Sequence, residues 1–383
     1  MTIAELHCDE ELRRHEFPVA ATKIFLGHAG VCALPRRVAE AVAHYALNCT
    51  HGDQETLLPY FKMQQTRELA ARLLGAHADE IAFVGPTTLA LSYVANGIKF
   101  RKHDNILIYH DDYPSNVYPW MALAQRGVEV RLMNIRELGK VRPIDVQGQV
   151  DENTRLVALA SCHYVSGWRI NISAIGKHLR DRGILFCVDG IQTVGAFPTP
   201  LDHVDFMAAD AHKWLLGPCA AGLFYVRRAV QDLLTPSVIG WNNVRCPDFL
   251  AQEKIDFHPT AHRYEAGSDN LLGLVGLHAA MELILEVGVE NIAAELLRKR
   301  AWLVPALQAK GFAVLHSTAP PESASGIVTF FKPEADMDAL HAKLEAANMM
   351  TSLRADRRGQ KYLRLSPHFY NTDEELHRVV ETL

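Results

Sequence analysis

Short runs rich in β-branched and aromatic residues alternate with helix-length segments through the first two-thirds of the chain, and no other feature limits its fold so tightly. The runs fall at 81–84, 105–109, 128–133, 156–160, 184–188, 206–208 and 222–226. Strands joined through helices pair in parallel, so the pattern predicts an α/β fold with a mainly parallel sheet covered by helices. The segment 172–182, closed by Gly183, predicts an amphipathic helix that feeds directly into the apolar strand 184–188, one βαβ step. Between 236 and 268, Gly, Pro and polar residues accumulate without periodicity, and the pattern changes afterwards. Long helices are predicted at 271–287 and 292–309, apolar strands at 313–315 and 327–331, a helix at 337–348 and a strand at 362–365. A last helix is capped by Thr372, with Glu375 three residues on. These elements predict a smaller C-terminal α+β domain. The expected division is an N-terminal segment 1–20 packing with the small domain, a large domain 21–260, and a linking helix with the small domain over 261–383.

Charge and composition narrow the function. The 39 Lys plus Arg against 44 Asp plus Glu leave a net charge of −5 over 383 residues, which argues against a nucleic-acid binder driven by bulk charge. The longest apolar stretch, 273–288, is broken by His278, Glu282 and Glu286, short of the roughly 18 residues of a membrane span. Near the N-terminus Glu5, Asp9, Glu10 and Glu11 stand where a secretory signal needs a basic and then an apolar region, so a cytoplasmic protein is expected. Seven cysteines, an odd number without a Cys-x-x-Cys pair, fit neither a disulfide framework nor a zinc ribbon and are expected to be mostly inert buried thiols.

The chemistry concentrates in two segments, Val188-Asp189-Gly190-Ile191-Gln192 and Asp210-Ala211-His212-Lys213-Trp214-Leu215-Leu216-Gly217-Pro218. In an open parallel sheet, polar residues just past the carboxyl ends of strands line the ligand crevice, and both segments follow predicted strands. Asp189 and Lys213 are therefore expected to converge. A lysine beside Trp214, Leu215 and Leu216 is partly desolvated and loses its proton readily, which makes it a nucleophile toward an aldehyde. An aspartate nearby can pair with a protonated ring nitrogen. Together these are the demands of pyridoxal 5'-phosphate.

These two motifs, with Gly-Leu-Phe-Tyr-Val-Arg at 222–227, resemble the class V aminotransferase family of fold type I pyridoxal-phosphate enzymes, which includes cysteine desulfurases, selenocysteine lyases, kynureninase and isopenicillin N epimerase. The similarity runs from Phe25-Leu26-Gly27-His28-Ala29-Gly30 to Arg364-Leu365-Ser366-Pro367-His368-Phe369-Tyr370-Asn371. The resemblance implies that Lys213 carries the cofactor, Asp189 partners its ring nitrogen, Gln192 bonds its phenolic oxygen and His212 its phosphate. Val84-Gly85-Pro86-Thr87-Thr88 resembles the family's phosphate turn, where a helix N-terminus offers free N–H groups and two hydroxyls to a dianion, so Thr87 and Thr88 are the expected phosphate ligands. Tyr113 stands where relatives stack a ring on the pyridine. Arg364 matches the arginine that grips a substrate α-carboxylate, a task suited to a guanidinium fork, with His28 and Tyr164 as further substrate contacts. Ser268 replaces the threonine that reaches the phosphate of a neighbouring subunit, which implies a homodimer acting on an amino acid.

Departures shape the expected reaction. The run 353–362, where desulfurases hold a persulfide-forming cysteine on a loop, has none. Tyr164 stands in place of an asparagine facing the cofactor, Gly27 in place of another, and Cys162 lies beside this face. The expected reaction is a lyase acting on a cysteine-like or β-substituted amino acid without a persulfide relay; transamination and epimerisation share its proton-removal step and remain alternatives. Arg354 reads equally as a second carboxylate contact or a solvated loop charge, and Arg357, Arg358 and Lys361 as solvated charges. Two remote readings are a metal site at His203, Asp205, Asp210 and His212, which lacks a convincing third ligand elsewhere, and a non-catalytic binding subunit, which the presence of both Lys213 and Asp189 disfavours.

Overall fold

The computed structural model describes residues 1–383. After a two-residue strand β1 (Ile24–Phe25), seven strands build the central sheet: β2 (Ile81–Val84), β3 (Asn105–Ile108), β4 (Glu129–Leu132), β5 (Thr154–Ala160), β6 (Leu185–Asp189), β7 (Phe206–Ala209) and β8 (Gly222–Val226). Their order is β2-β8-β7-β6-β5-β3-β4. Only β8 runs antiparallel to its neighbours.

Strand residues alternate between two cores, as the two-residue period of a strand requires. Val157, Leu159, Phe186 and Val188 enter one, while Leu156, Ala158, Leu185 and Cys187 enter the other. With both faces covered, the strands are apolar throughout, and so they stand out in the sequence. Every expected strand of this sheet forms within two residues of its expected ends. The sheet is a fold type I arrangement, with the carboxyl ends of β5, β6 and β7 opening onto one edge.

A second, antiparallel sheet contains β9 (Ala313–Val314), β10 (Val328–Phe331), β12 (Ser352–Ala355) and β13 (Lys361–Leu365), in the order β12-β13-β10-β9. The short β11 (Met349–Met350) pairs in parallel with β1. On β13, Leu363 and Leu365 face a third core with Leu303, Leu307, Leu344 and Val379. Arg364 therefore points to the opposite face. The segment 353–362, read as a loop, is instead the hairpin of β12 and β13. Helices at Ile3–Cys8, Glu10–Glu16, Arg36–Asn48 and Tyr60–Leu74 add to those expected. The helix Val289–Ala309 begins three residues earlier than expected and carries Pro305 inside it.

The thiols depart from expectation. Only Cys162 and Cys187 are buried, whereas Cys8 and Cys219 are exposed. No single helix is long and apolar enough to cross a membrane.

One buried ion pair fixes the strand that leads into the phosphate turn. Glu265 accepts from Arg67 at 2.6 and 3.0 Å and from the β2 backbone N–H of Phe83 at 2.6 Å. Both side chains are nearly inaccessible, at 6% for Arg67 and 0% for Glu265. Beside them Gly222 lies opposite Val84, and a Cβ there would meet the Gly85 carbonyl oxygen at 2.5 Å, so only glycine lets the turn sit this close to β8. Glu265→Ala would leave a buried guanidinium with only the Ile81 carbonyl (2.6 Å) and no acidic partner, and a strand N–H without an acceptor, at an expected cost of about 3–5 kcal/mol. A urea midpoint equal to that of the wild type would contradict this role.

Candidate functional site

Several strands end at one crevice, the position at which parallel sheets place their ligands. Asp189 closes β6; Lys213 follows β7 by four residues, Tyr164 follows β5, and Thr87 begins the helix Thr87–Gly97 just after β2. The hairpin of β12 and β13 closes the crevice from the other sheet. Together they enclose a cavity of about 640 Å³.

The structure brings Lys213, Asp189, Thr87 and Thr88 together on this cavity, with Tyr113, Tyr164, His212 and Arg364. Lys213 is 6% exposed and Asp189 2%. No ion pair joins them. Burial dominates both groups: it lowers Lys213 to about 8 against the opposing pull of Asp189, and it raises Asp189 despite the N–H of Ile191 and the charge of Lys213. Ile191 donates to Oδ1 of Asp189 at 3.0 Å, leaving Oδ2 without a protein partner. Tyr113 is 45% exposed, its ring 5.2 Å from the Lys213 Nζ and edge-on to Tyr164 at 5.2 Å.

The loop that carries Lys213 is held by Asp210. Its carboxylate accepts from the N–H groups of Ala211 (2.8 Å), Ala220 and Ala221 (3.0 Å each), and bonds Nδ1 of His212 at 2.8 Å. Asp210 also donates its own N–H to Oγ1 of Thr87 at 3.0 Å. Leu216 and Ala220 in this loop take left-handed φ values of 59° and 58°, a strain that the network sustains. Thr88 donates to Ser115 at 2.7 Å.

Arg364 is 1% exposed and meets no carboxylate. It donates to the Tyr164 carbonyl at 2.6 Å and to Ser352 Oγ at 3.2 Å, while its Nε is buried without a partner. Burial, aided by the charge of Arg354, drops it to about 9. A buried guanidinium in this state calls for an anion from outside the protein.

Three expected residues lie elsewhere. Gln192 is buried outside the lining of the cavity, donating one amide N–H to the Ala29 carbonyl (3.1 Å) and accepting from the Trp214 indole (2.8 Å), so it braces the lysine loop. His28 is fully buried, bonded to the Ser366 carbonyl at 2.8 Å and the Tyr370 hydroxyl at 2.9 Å, and burial lowers it to about 4. It is a core histidine rather than a substrate contact. Ser268 borders separate cavities beside Glu265 and Asp269, one of them also lined by Val84 and Gly85 of the phosphate turn.

Of the two readings open for Arg354, the structure supports the contact, since Arg354 lines the cavity. One further residue has no assignment from the sequence. Asp112 is buried, accepting from Asn116 (3.0 Å) and the N–H groups of Tyr113 (2.7 Å) and Ala160 (3.0 Å), and thereby sets the Tyr113 turn; burial raises it to about 7. Its signal was its place just past a strand end. Arg357, Arg358 and Lys361 are exposed, although Arg357 pairs with Asp111. The suspected metal cluster divides: Asp205 is taken by Arg227 and the Phe186 N–H, and Asp210 by the lysine loop.

The donor set fits pyridoxal phosphate. An amine, an unpartnered carboxylate oxygen and an aromatic ring share one cavity with a helix N-terminus carrying two threonines. In protein freed of cofactor, Lys213 is expected to react with an aldehyde probe with a midpoint near its pKa of about 8, since only the neutral amine attacks. Labelling mapped to Lys213 across a pH series checks this. A midpoint near an ordinary lysine value would contradict it.

A family model described as aminotransferase class-V matches residues 24–379. A probable cysteine desulfurase of Methanothermobacter thermautotrophicus is 28% identical over 98% of this chain and 97% of its own. Among solved structures, an apo cysteine desulfurase from Thermococcus onnurineus NA1 aligns with a TM-score of 0.87 at 23% identity, over 97% of this chain and 96% of that one. A cystine C–S lyase in complex with its product, cysteine persulfide, aligns with a TM-score of 0.85 at 21% identity, over 95% and 98%.

Proposed function

The chain belongs to the class V aminotransferase family, and from that premise we propose that it is a pyridoxal-phosphate lyase acting on a cysteine-like or β-substituted α-amino acid. The observation that carries this reading is the meeting, in one cavity, of the buried amine of Lys213, which burial makes easier to deprotonate, with the guanidinium of Arg364, which meets no carboxylate and whose Nε has no partner. The names of its relatives, cysteine desulfurase and cystine C–S lyase, support bond cleavage beyond the α-carbon.

Pyridoxal phosphate supplies an aldehyde that condenses with amines and a ring that accepts the electron pair of a bond breaking at the substrate α-carbon. Lys213 would hold the cofactor's aldehyde, and its amine, when free, would serve as a base for the substrate α-proton. Asp189 would hold a proton on the ring nitrogen through its free oxygen. Thr87, Thr88 and His212 would receive the phosphate, and Tyr113 would pack against the ring. Arg364 fixes the α-carboxylate, orienting the α-hydrogen toward Lys213.

Sulfur chemistry in this chain lacks a relay on the hairpin, since 353–362 holds no thiol. Cys162 is no substitute: it is fully buried, and burial pushes it up to about 11. Sulfur is expected to leave directly, as sulfide or within a larger leaving group. An amino-acid panel followed for pyruvate, sulfide and pyridoxamine phosphate tests the reading; pyridoxamine phosphate alone would replace the lyase with an aminotransferase.

Asp189→Asn is expected to retain the cofactor through Lys213 and the phosphate contacts, but to slow turnover more than a hundred-fold. The amide loses a shielded charged hydrogen bond worth about 3 kcal/mol on the carbanion-forming step. Wild-type turnover in this variant would show that Asp189 does not govern the ring nitrogen.

We further propose a cytoplasmic homodimer in which Ser268 reaches the phosphate of the partner's site. Its support is that Ser268 lies away from its own cavity, while Tyr60, Phe61, Trp241, Phe249 and Leu250 are exposed. Light scattering that found an active, cofactor-loaded monomer would refute the shared site, and cell fractionation tests the location.

A further inference from the structure

Arg354 and Arg364 stand on one face of the small sheet. Ser352 lies directly opposite Arg364 across the antiparallel β12–β13 pair, so Arg354, two residues beyond Ser352, is a diagonal neighbour whose backbone lies about 7–8 Å from that of Arg364. Their side chains nonetheless converge. A Cβ built on Gly30 would lie 3.7 Å from Nη2 of Arg364 and 3.8 Å from Nη2 of Arg354, so the absence of a side chain at Gly30 keeps the space before both guanidinium groups open.

Arg354 has no acidic partner. Its only hydrogen bond runs from Nη1 to the Leu353 carbonyl at 2.8 Å. The nearby acids are committed elsewhere: Asp111 pairs with Arg357, Asp112 bonds Asn116 and two backbone N–H groups, and Asp356 takes the Tyr362 hydroxyl with the N–H groups of Arg358 and Gln360. The two cations repel one another across the cavity, and the charge of Arg354 is the main influence after burial on the lowered affinity of Arg364 for its proton. One substrate carboxylate balances one of these charges. The other remains in a partly dry cavity, where unbalanced charge is costly.

We propose that Arg354 is a specificity-determining residue that binds a second anionic group, a carboxylate on the β-substituent of the substrate, while Arg364 holds the α-carboxylate. This rests on the reading of the cavity as an amino-acid site and names its substrate class: β-substituted amino acids whose leaving group carries an acid. Binding of such a substrate places one negative charge on each guanidinium.

The test is equilibrium binding by calorimetry to the cofactor-loaded protein, with succinate and butyrate as probes, two acids of equal carbon number that differ by one carboxylate. Wild-type protein is expected to prefer succinate. Arg354→Gln is expected to lose roughly ten- to a hundred-fold in succinate affinity while butyrate stays within about two-fold. Arg354→Lys, which keeps the charge but not the fork, is expected to recover part of the preference, and it serves as the second variant if the glutamine form unfolds. Equal losses for both probes would mean that the two arginines clamp a single carboxylate and would overturn the proposal. So would the absence of a succinate preference in the wild type. Cofactor absorbance keeps the two readings apart: protein that binds no pyridoxal phosphate refutes the enzyme assignment, whereas loaded protein without the preference refutes only the second-anion site.

Discussion

The site depends on the carboxylate of Asp210. A loop leaving a parallel strand has backbone N–H groups that nothing in the sheet can satisfy, and Asp210 collects three of them together with the His212 ring. Its own N–H ties the same point to Thr87, at the start of the helix expected to face the phosphate. One residue thus ties the loop of Lys213 to the helix end at Thr87. The left-handed backbone at Leu216 and Ala220 is sustained by this network, which places strain next to the reactive residue, where over-determined contacts can hold it.

Around that anchor the cavity is rich in incomplete interactions. Lys213, Asp189 and Arg364 are nearly inaccessible, yet none meets its full complement of partners. Such groups reduce the stability of the empty protein, and burial shifts each toward its neutral form. The surrounding cores offset this, since the strands behind the cavity are buried on both faces. Function here costs stability locally and is carried by packing elsewhere.

The large sheet was legible because burial on both faces makes each of its strands a continuous apolar run. The hairpin at 353–362 was not: with Arg354, Asp356, Arg357, Arg358 and Lys361 its composition reads as a loop, and only pairing of β13 with β10 gives it a place in a sheet. The helices Ile3–Cys8 and Glu10–Glu16 are short and polar, held by the caps of Thr2 and Asp9 and by the reach of Arg13 to Glu375 at 2.8 Å, a tertiary contact that sequence spacing does not reveal. Asp189 and Lys213 were legible because each follows or closes an apolar strand, whereas Thr87 and Arg364 were expected from the family resemblance alone; all four line the cavity. Gln192 and His28 lie next to such motifs, yet their hydrogen bonds turn them into the core, and neighbouring positions in sequence did not disclose which way they pointed.

The replacement of a thiol-bearing loop by a charged hairpin also alters what the cavity asks of a substrate. A relay cysteine must be mobile and accessible to hand sulfur onward, whereas β12 and β13 are paired along four residues and further tied to the large-domain side through Arg357 and Asp111. The hairpin thus presents one guanidinium from each of its strands to the cavity, Arg354 and Arg364, and its segment 353–362 carries no thiol through which sulfur could pass.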